Sequence, residues 1–205
     1  DALGELCENY RPVILAFFRR HDDPRLAEDR TQAFLLHFLE SELHSRADAS
    51  RGSFRAFLFT SVRHHWQESL RRESASKRRD GIEVGEDALR ELPADDPGPE
   101  RQFDRDWALN VFSRAQKALR DEALRSNKAA LFEAVQGFLL EAPSHGDYDK
   151  IGEAVGMPAN TVAVAVKRLR ERLRSLVQQE LADTLPPGSD LGREMEWLRQ
   201  ALRQG

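Results

Sequence analysis

The residues best suited to do chemistry lie between positions 148 and 174, in the stretch YDKIGEAVGMPANTVAVAVKRLRERLR. Asn160 and Thr161 bring hydrogen-bonding side chains, and Lys167, Arg168 and Arg170 follow on the same helical stretch with cationic ones. Short polar groups read base edges, whereas Lys and Arg suit phosphates, so the chemistry on offer is recognition of nucleic acid. Between Lys150 and Leu176, six Arg/Lys stand against two Glu. A second cluster from Arg63 to Arg79 has the same six against two, with His64 and His65 added. Such clusters are the electrostatic footprint of phosphate contact, although an ordinary solvated helix face also carries runs of charge.

Bond-making chemistry finds no such support. The sequence has no Gly-rich phosphate loop ending in Lys-Ser/Thr, no GxGxxG and no HExxH. His37 and His44 could share a helix face two turns apart, but no cysteine stands with them to complete a metal site. No carboxylate sits in the apolar setting that tunes a general acid. The expectation is a protein without catalytic residues, metal or cofactor.

The elements that position the basic residues follow from spacing. A short helix over 148–155 ends at Gly156, which can take the left-handed conformation of a sharp turn. Pro158 then falls in the first turn of the next helix. Ile151, Ala154 and Val155 can pack against Val162, Val166 and Leu169. The pattern predicts a helix-turn-helix whose second helix turns Asn160, Thr161, Ala163, Val164, Lys167, Arg168 and Arg170 outward. A plain helical hairpin is the competing reading of the same periodicity.

Toward the N terminus, Leu3, Leu6, Tyr10, Val13, Ile14 and Phe17 recur every three or four residues and predict a first helix, with a kink or a late start at Pro12. A second helix is expected over about 24–41, capped by Asp22 or Asp23 with Pro24 in its first turn. A third is expected from Phe54 to about Arg72, on a ridge of Phe54, Leu58, Val62, Trp66 and Leu70. Residues 44–53 read as a polar loop. Residues 80–100 carry eight acidic side chains against Arg90 alone, with six Gly or Pro, and read as a flexible acidic linker. The last twenty residues add Leu191, Met195, Trp197, Leu198 and Leu202, an amphipathic helix expected to dock on the helix-turn-helix domain.

The fold class is therefore all-α, with small helical domains at 1–79 and 101–184, the linker at 80–100 between them and a tail helix at 185–205. Hydrophobic residues make up 40% of the 205 and charged ones 32%, as in a globular chain. No apolar run is long enough to span a bilayer, and the first twenty residues are unlike a secretory signal, so no membrane association is expected. A single cysteine, Cys7, fits a reducing compartment and a cytoplasmic location. A net charge of −4 excludes a uniformly basic nucleic-acid binder, since the positive charge is confined to the two clusters.

GMPANTVAVAVKRLRERLR resembles the region 4 helix-turn-helix of extracytoplasmic-function sigma factors, the promoter-recognition subunits of bacterial RNA polymerase. AEDRTQAFLLHFLE is similar to their region 2.2, and RGSFRAFLFTSVRHHWQESLRR to regions 2.3 and 2.4, in the right order around the acidic linker. Asp29, Thr31 and Gln32, the KRRDG segment and the ending LRERLRSLVQQELADTL are similar to the branch whose genes accompany serine/threonine kinases.

The resemblance implies roles. Glu28, Asp29 and Gln32 match positions that bind the clamp helices of the polymerase β′ subunit, and the β flap is a further expected contact. Residues 44–53 correspond to the pocket that captures a base flipped from the −10 element, where binding energy repays unstacking. Arg63, His64, Gln67, Arg71 and Arg72 match the helix that follows −10 DNA, and Asn160, Thr161, Ala163, Lys167 and Arg168 match the −35 reader. Thr31 is the expected phosphorylation site, adding negative charge beside Glu28 and Asp29 where Ala33 stands in place of the family's usual acid. Ala163 and Val164 replace polar or basic residues, so the expected −35 reading is weaker or more dependent on shape. The implied function is an alternative sigma factor. A stand-alone helix-turn-helix regulator and a purely helical interaction protein are the alternatives from other classes.

Overall fold

The computed structural model describes residues 2–41, 53–79, 98–186 and 188–203, with side chains from Gly4 onward. Every regular element among them is helical: α1 (Ala2–His21), α2 (Ala27–Glu40), α3 (Phe54–Arg79), α4 (Gly98–Arg125), α5 (Ala129–Val135), a 3₁₀ turn (Gln136–Leu139), α6 (Asp147–Val155), α7 (Ala159–Ala182) and α8 (Leu191–Arg203). The expected base-capture loop 44–53 lies outside the described residues apart from Ser53. Of the expected linker 80–100 only Gly98–Glu100 are described, and they form the first turn of α4.

The chain divides into two units, one of Asp1–Asn110 with Thr184–Gly205, the other of Val111–Asp183. The division falls inside α4, beyond the boundary expected at 100/101. Aromatic packing is the reason. Trp107 stacks on Tyr10 with ring centroids 4.6 Å apart, and Phe103 meets Phe59 at 5.3 Å, so the first half of α4 completes the core of the first unit. Around them Ile14, Phe17, Phe18, Phe34, Phe38, Leu58, Val62 and Trp66 are buried. α8 also belongs to this unit, whereas the sequence pattern places it with the helix-turn-helix domain. It buries Met195, Leu198 and Ala201, and the Arg55 guanidinium, which also pairs with Asp104, lies 3.9 Å from the centre of the Trp197 ring.

Two local expectations also change. α1 runs unbroken through Pro12 from Ala2, without a late start. Tyr10, Val13, Ile14, Phe17 and Phe18 are all buried around it, and their burial outweighs the roughly 3 kcal/mol that an interior proline costs. α2 begins at Ala27 rather than near Pro24, and Leu26 at its N-cap makes no side-chain cap. Of the expected caps, Asp23 accepts from both the Arg25 backbone N–H (3.0 Å) and the Arg25 guanidinium (2.8 Å), closing the turn that holds Pro24 just ahead of α2, while Asp22 accepts from Arg30 (2.9 Å). On α3 the buried ridge continues past Trp66 to Ser74, and the helix extends to Arg79, while Phe54 and Leu70 are only half-buried.

In the second unit Val135, Val162 and Val166 form the centre, with Leu131, Tyr148, Ile151, Val155 and Leu169 packed against them. Ala154, expected in this core, is exposed. Val135 of α5 takes that place, because α5 lies against α6 and closes the hairpin from a third side.

Candidate functional site

The turn between α6 and α7 sets what α7 presents. Gly156 caps α6 at φ 68°, the left-handed region open to glycine, and Met157 N–H donates to Gly152 O at 2.9 Å. A Cβ added to Gly152 would stand 2.4 Å from Met157 O, so the turn closes tightly only over a glycine. Pro158 precedes α7 in extended conformation, and its carbonyl accepts from Thr161 N–H at 2.8 Å. No side chain caps α7, which leaves orphan N–H groups at its start.

With Val162 and Val166 buried, Asn160, Thr161, Val164, Lys167 and Arg168 are all exposed along one side of α7. Ala163 is half-buried. Lys167 is near Glu171 at 4.0 Å, an exposed pair that holds it weakly. Arg170 departs from expectation. Its guanidinium donates to Phe138 O (2.6 and 2.8 Å) and Glu141 O (2.6 Å), tying α7 to the 3₁₀ turn rather than facing outward. Arg172 is likewise held by two bonds to Glu122, whose carboxyl it keeps below the ordinary range.

In the first unit, α2 separates its candidate residues. Asp29, Gln32 and Ala33 are exposed, with Leu36 beside them at 57% exposure. Glu28 is half-buried and held by Arg11 and Arg19. Thr31 is not part of that surface: it is 0% exposed, and its hydroxyl donates to Ala27 O at 2.7 Å. Position 31 lies one turn from buried Ala27 and Phe34, so helical geometry turns it to the core.

On α3, at about 100° per residue, Arg63, Gln67, Arg71 and His64 fall within one sector of roughly 100°. His64 and Arg71 are exposed, whereas Arg63 and Gln67 are half-buried. Arg72 lies further round, paired with Glu68, and the last turns from Ala75 to Arg79 are exposed throughout.

A feature missed in the sequence joins α2 to α3. His65 stacks on His37 with centroids 5.4 Å apart and meets Phe34 edge-on at 5.5 Å. Burial, then the nearby His37, with Arg30 and Arg72 adding and Glu68 opposing, pushes His65 below its ordinary value of 6.5. The folded unit thus favours neutral imidazole, and the unfolded chain binds the proton first as pH falls. The His65 contribution to stability is complete above about pH 6.5 and declines as pH drops through that value toward the lowered folded pKa. Melting between about pH 7.5 and 5 should show a falling midpoint that flattens in His65→Gln. Equal slopes in the two proteins would remove His65 as the cause.

Among the described residues no group of three or more His, Cys, Asp or Glu is placed to hold a metal ion, and no helix is long and apolar enough to cross a membrane. No family model, curated protein or solved structure matches the chain.

Proposed function

We propose that the protein is an alternative sigma factor of the extracytoplasmic-function type, which directs RNA polymerase core to particular promoters. The observation that carries the reading is α7. A tight glycine turn delivers an uncapped helix start whose exposed side bears Asn160, Thr161, Lys167 and Arg168. Orphan N–H groups and cations favour a phosphate, and the two short polar side chains are suited to base edges. α3 supplies a second exposed basic side, through His64, Arg71 and Arg72 and the terminal Lys77, Arg78 and Arg79, for the −10 element. Asp29 and Gln32 on α2, with Glu28 partly engaged, are the proposed contact for the β′ clamp helices.

Phosphorylation of Thr31 by a serine/threonine kinase stays in the proposal with a changed mechanism. A buried hydroxyl reaches a kinase only after α2 lifts from α1, so the phosphate would hold α2 in a rearranged state rather than decorate an exposed face.

The test is a gel shift and transcription assay on promoter duplex with and without polymerase core. A shift that requires polymerase supports the sigma reading. Strong binding by the protein alone supports a stand-alone regulator, and no binding in either state leaves a helical interaction protein. Lys167→Ala and Arg168→Ala should weaken complexes on all promoters and each reduce the salt slope by about one. Asn160→Ala should change preference among −35 sequences by about 1–3 kcal/mol. Unchanged promoter use in all three variants would remove α7 as the reader.

A further inference from the structure

The second unit contains a cavity of about 320 Å³, bounded by α4, α5 and α7. Leu119 and Ala123 of α4, Leu131 and Phe132 of α5, and Val164 and Leu169 of α7 supply its apolar wall. That volume is at the lower end of the roughly 300–1,000 Å³ typical of small-molecule sites. Charge around it is uneven. Glu122 and Arg172 satisfy one another through two hydrogen bonds, whereas Lys128 and Arg168 line the same cavity without an ion pair among the described residues. Val164 is 45% exposed on the rim, an apolar side chain in the middle of an otherwise polar helix side. An apolar floor with two unneutralised cations above it is complementary to a small amphiphile bearing one negative charge.

We infer that this cavity binds an anionic amphiphile, a medium-chain carboxylate, with its hydrocarbon on the Leu119–Phe132–Leu169 wall and its carboxylate at Lys128 and Arg168. Thr161, Val164 and Arg168 belong both to the cavity lining and to the exposed side of α7, so the ligand and duplex DNA compete for them. The competition rests on the proposed promoter function, whereas ligand binding does not.

Titration calorimetry on the full chain with hexanoate, octanoate and 1-octanol tests the site. Octanoate is expected to bind one to one. It should bind roughly fifteenfold tighter than hexanoate, since each of the two added methylenes is worth about fourfold in affinity. Octanol, lacking the charge, is expected to bind several-fold more weakly than octanoate. Lys128→Ala, at an exposed position outside the DNA-reading set, should lower octanoate affinity several-fold and leave octanol unchanged, and Ala165→Phe should fill the space and weaken both. No binding by octanoate, equal affinity for octanol, or indifference to Lys128→Ala would overturn the site. Self-association of the chain abolished by Val164→Asp, without octanoate binding, would seat a second copy there and overturn it as well. Saturating octanoate should release promoter duplex from the polymerase complex, and an unchanged complex overturns the competition. If α7 is no promoter reader, Asn160→Ala leaves promoter choice and Lys167→Ala leaves promoter affinity intact while octanoate still binds the parent chain, so the two failures are distinguishable.

Discussion

Thr31→Glu is expected to destabilise the first unit by about 3–5 kcal/mol, enough to unfold a domain of ordinary stability. Thr31 is wholly buried between Ala27 and Phe34, and its hydroxyl satisfies itself on Ala27 O. A carboxylate there would be desolvated, and the neighbouring cation is already committed: Arg30 donates to Asp22 and Glu73. Thr31→Val keeps the shape and loses one hydrogen bond to a carbonyl that has other partners, so about 1 kcal/mol or less is expected. Thermal unfolding of both variants reads the contrast directly, and a Thr31→Glu protein as stable as the parent would contradict the burial. The same reasoning governs a kinase. Phosphate incorporation at Thr31 should track the fraction of molecules in which α2 has opened, so Phe34→Ala, which removes a fully buried ring beside it, should accelerate incorporation. An unaltered rate would mean that Thr31 is reached without opening.

Gly152→Val is expected to cost the second unit about 2–4 kcal/mol and to abolish duplex recognition by α7 with it. An alanine or valine inside a helix is ordinarily favoured over glycine by up to about 1 kcal/mol, so the sign here is decided by contact, not propensity. The added Cβ would lie 2.4 Å from Met157 O, a backbone atom whose own peptide forms the turn and cannot swing aside. Relief requires α6 and α7 to separate, which loosens Ile151 and Val155 from Val162 and Val166. Gly156→Ala is the control: nothing lies within 4 Å of its Cβ, and only the strain of a left-handed alanine, about 1 kcal/mol, is expected. Amide exchange across α6 and α7, with a gel shift on each variant, separates the two glycines. Equal effects would show that turn conformation rather than close approach holds the motif.

The sequence by itself determined the helical class and the positions of α3, α6 and α7, because apolar residues at 3.6-residue spacing and the Gly-x-Pro turn act within a few residues of themselves. It also placed Asn160, Thr161, Lys167 and Arg168 on the exposed side of α7, since Val162 and Val166 leave that side free. Tertiary structure alone decided the rest. Arg170 is a polar side chain that local pattern assigns to the surface, yet it finds carbonyls at Phe138 and Glu141, some thirty residues away. The placement of α8 and of Phe103 and Trp107 in the first unit depends on Arg55, Tyr10 and Phe59. Periodicity tells which side of a helix must be covered, but not what covers it. That choice is made by shape and charge between segments far apart in sequence, through contacts that form only when the chain has folded.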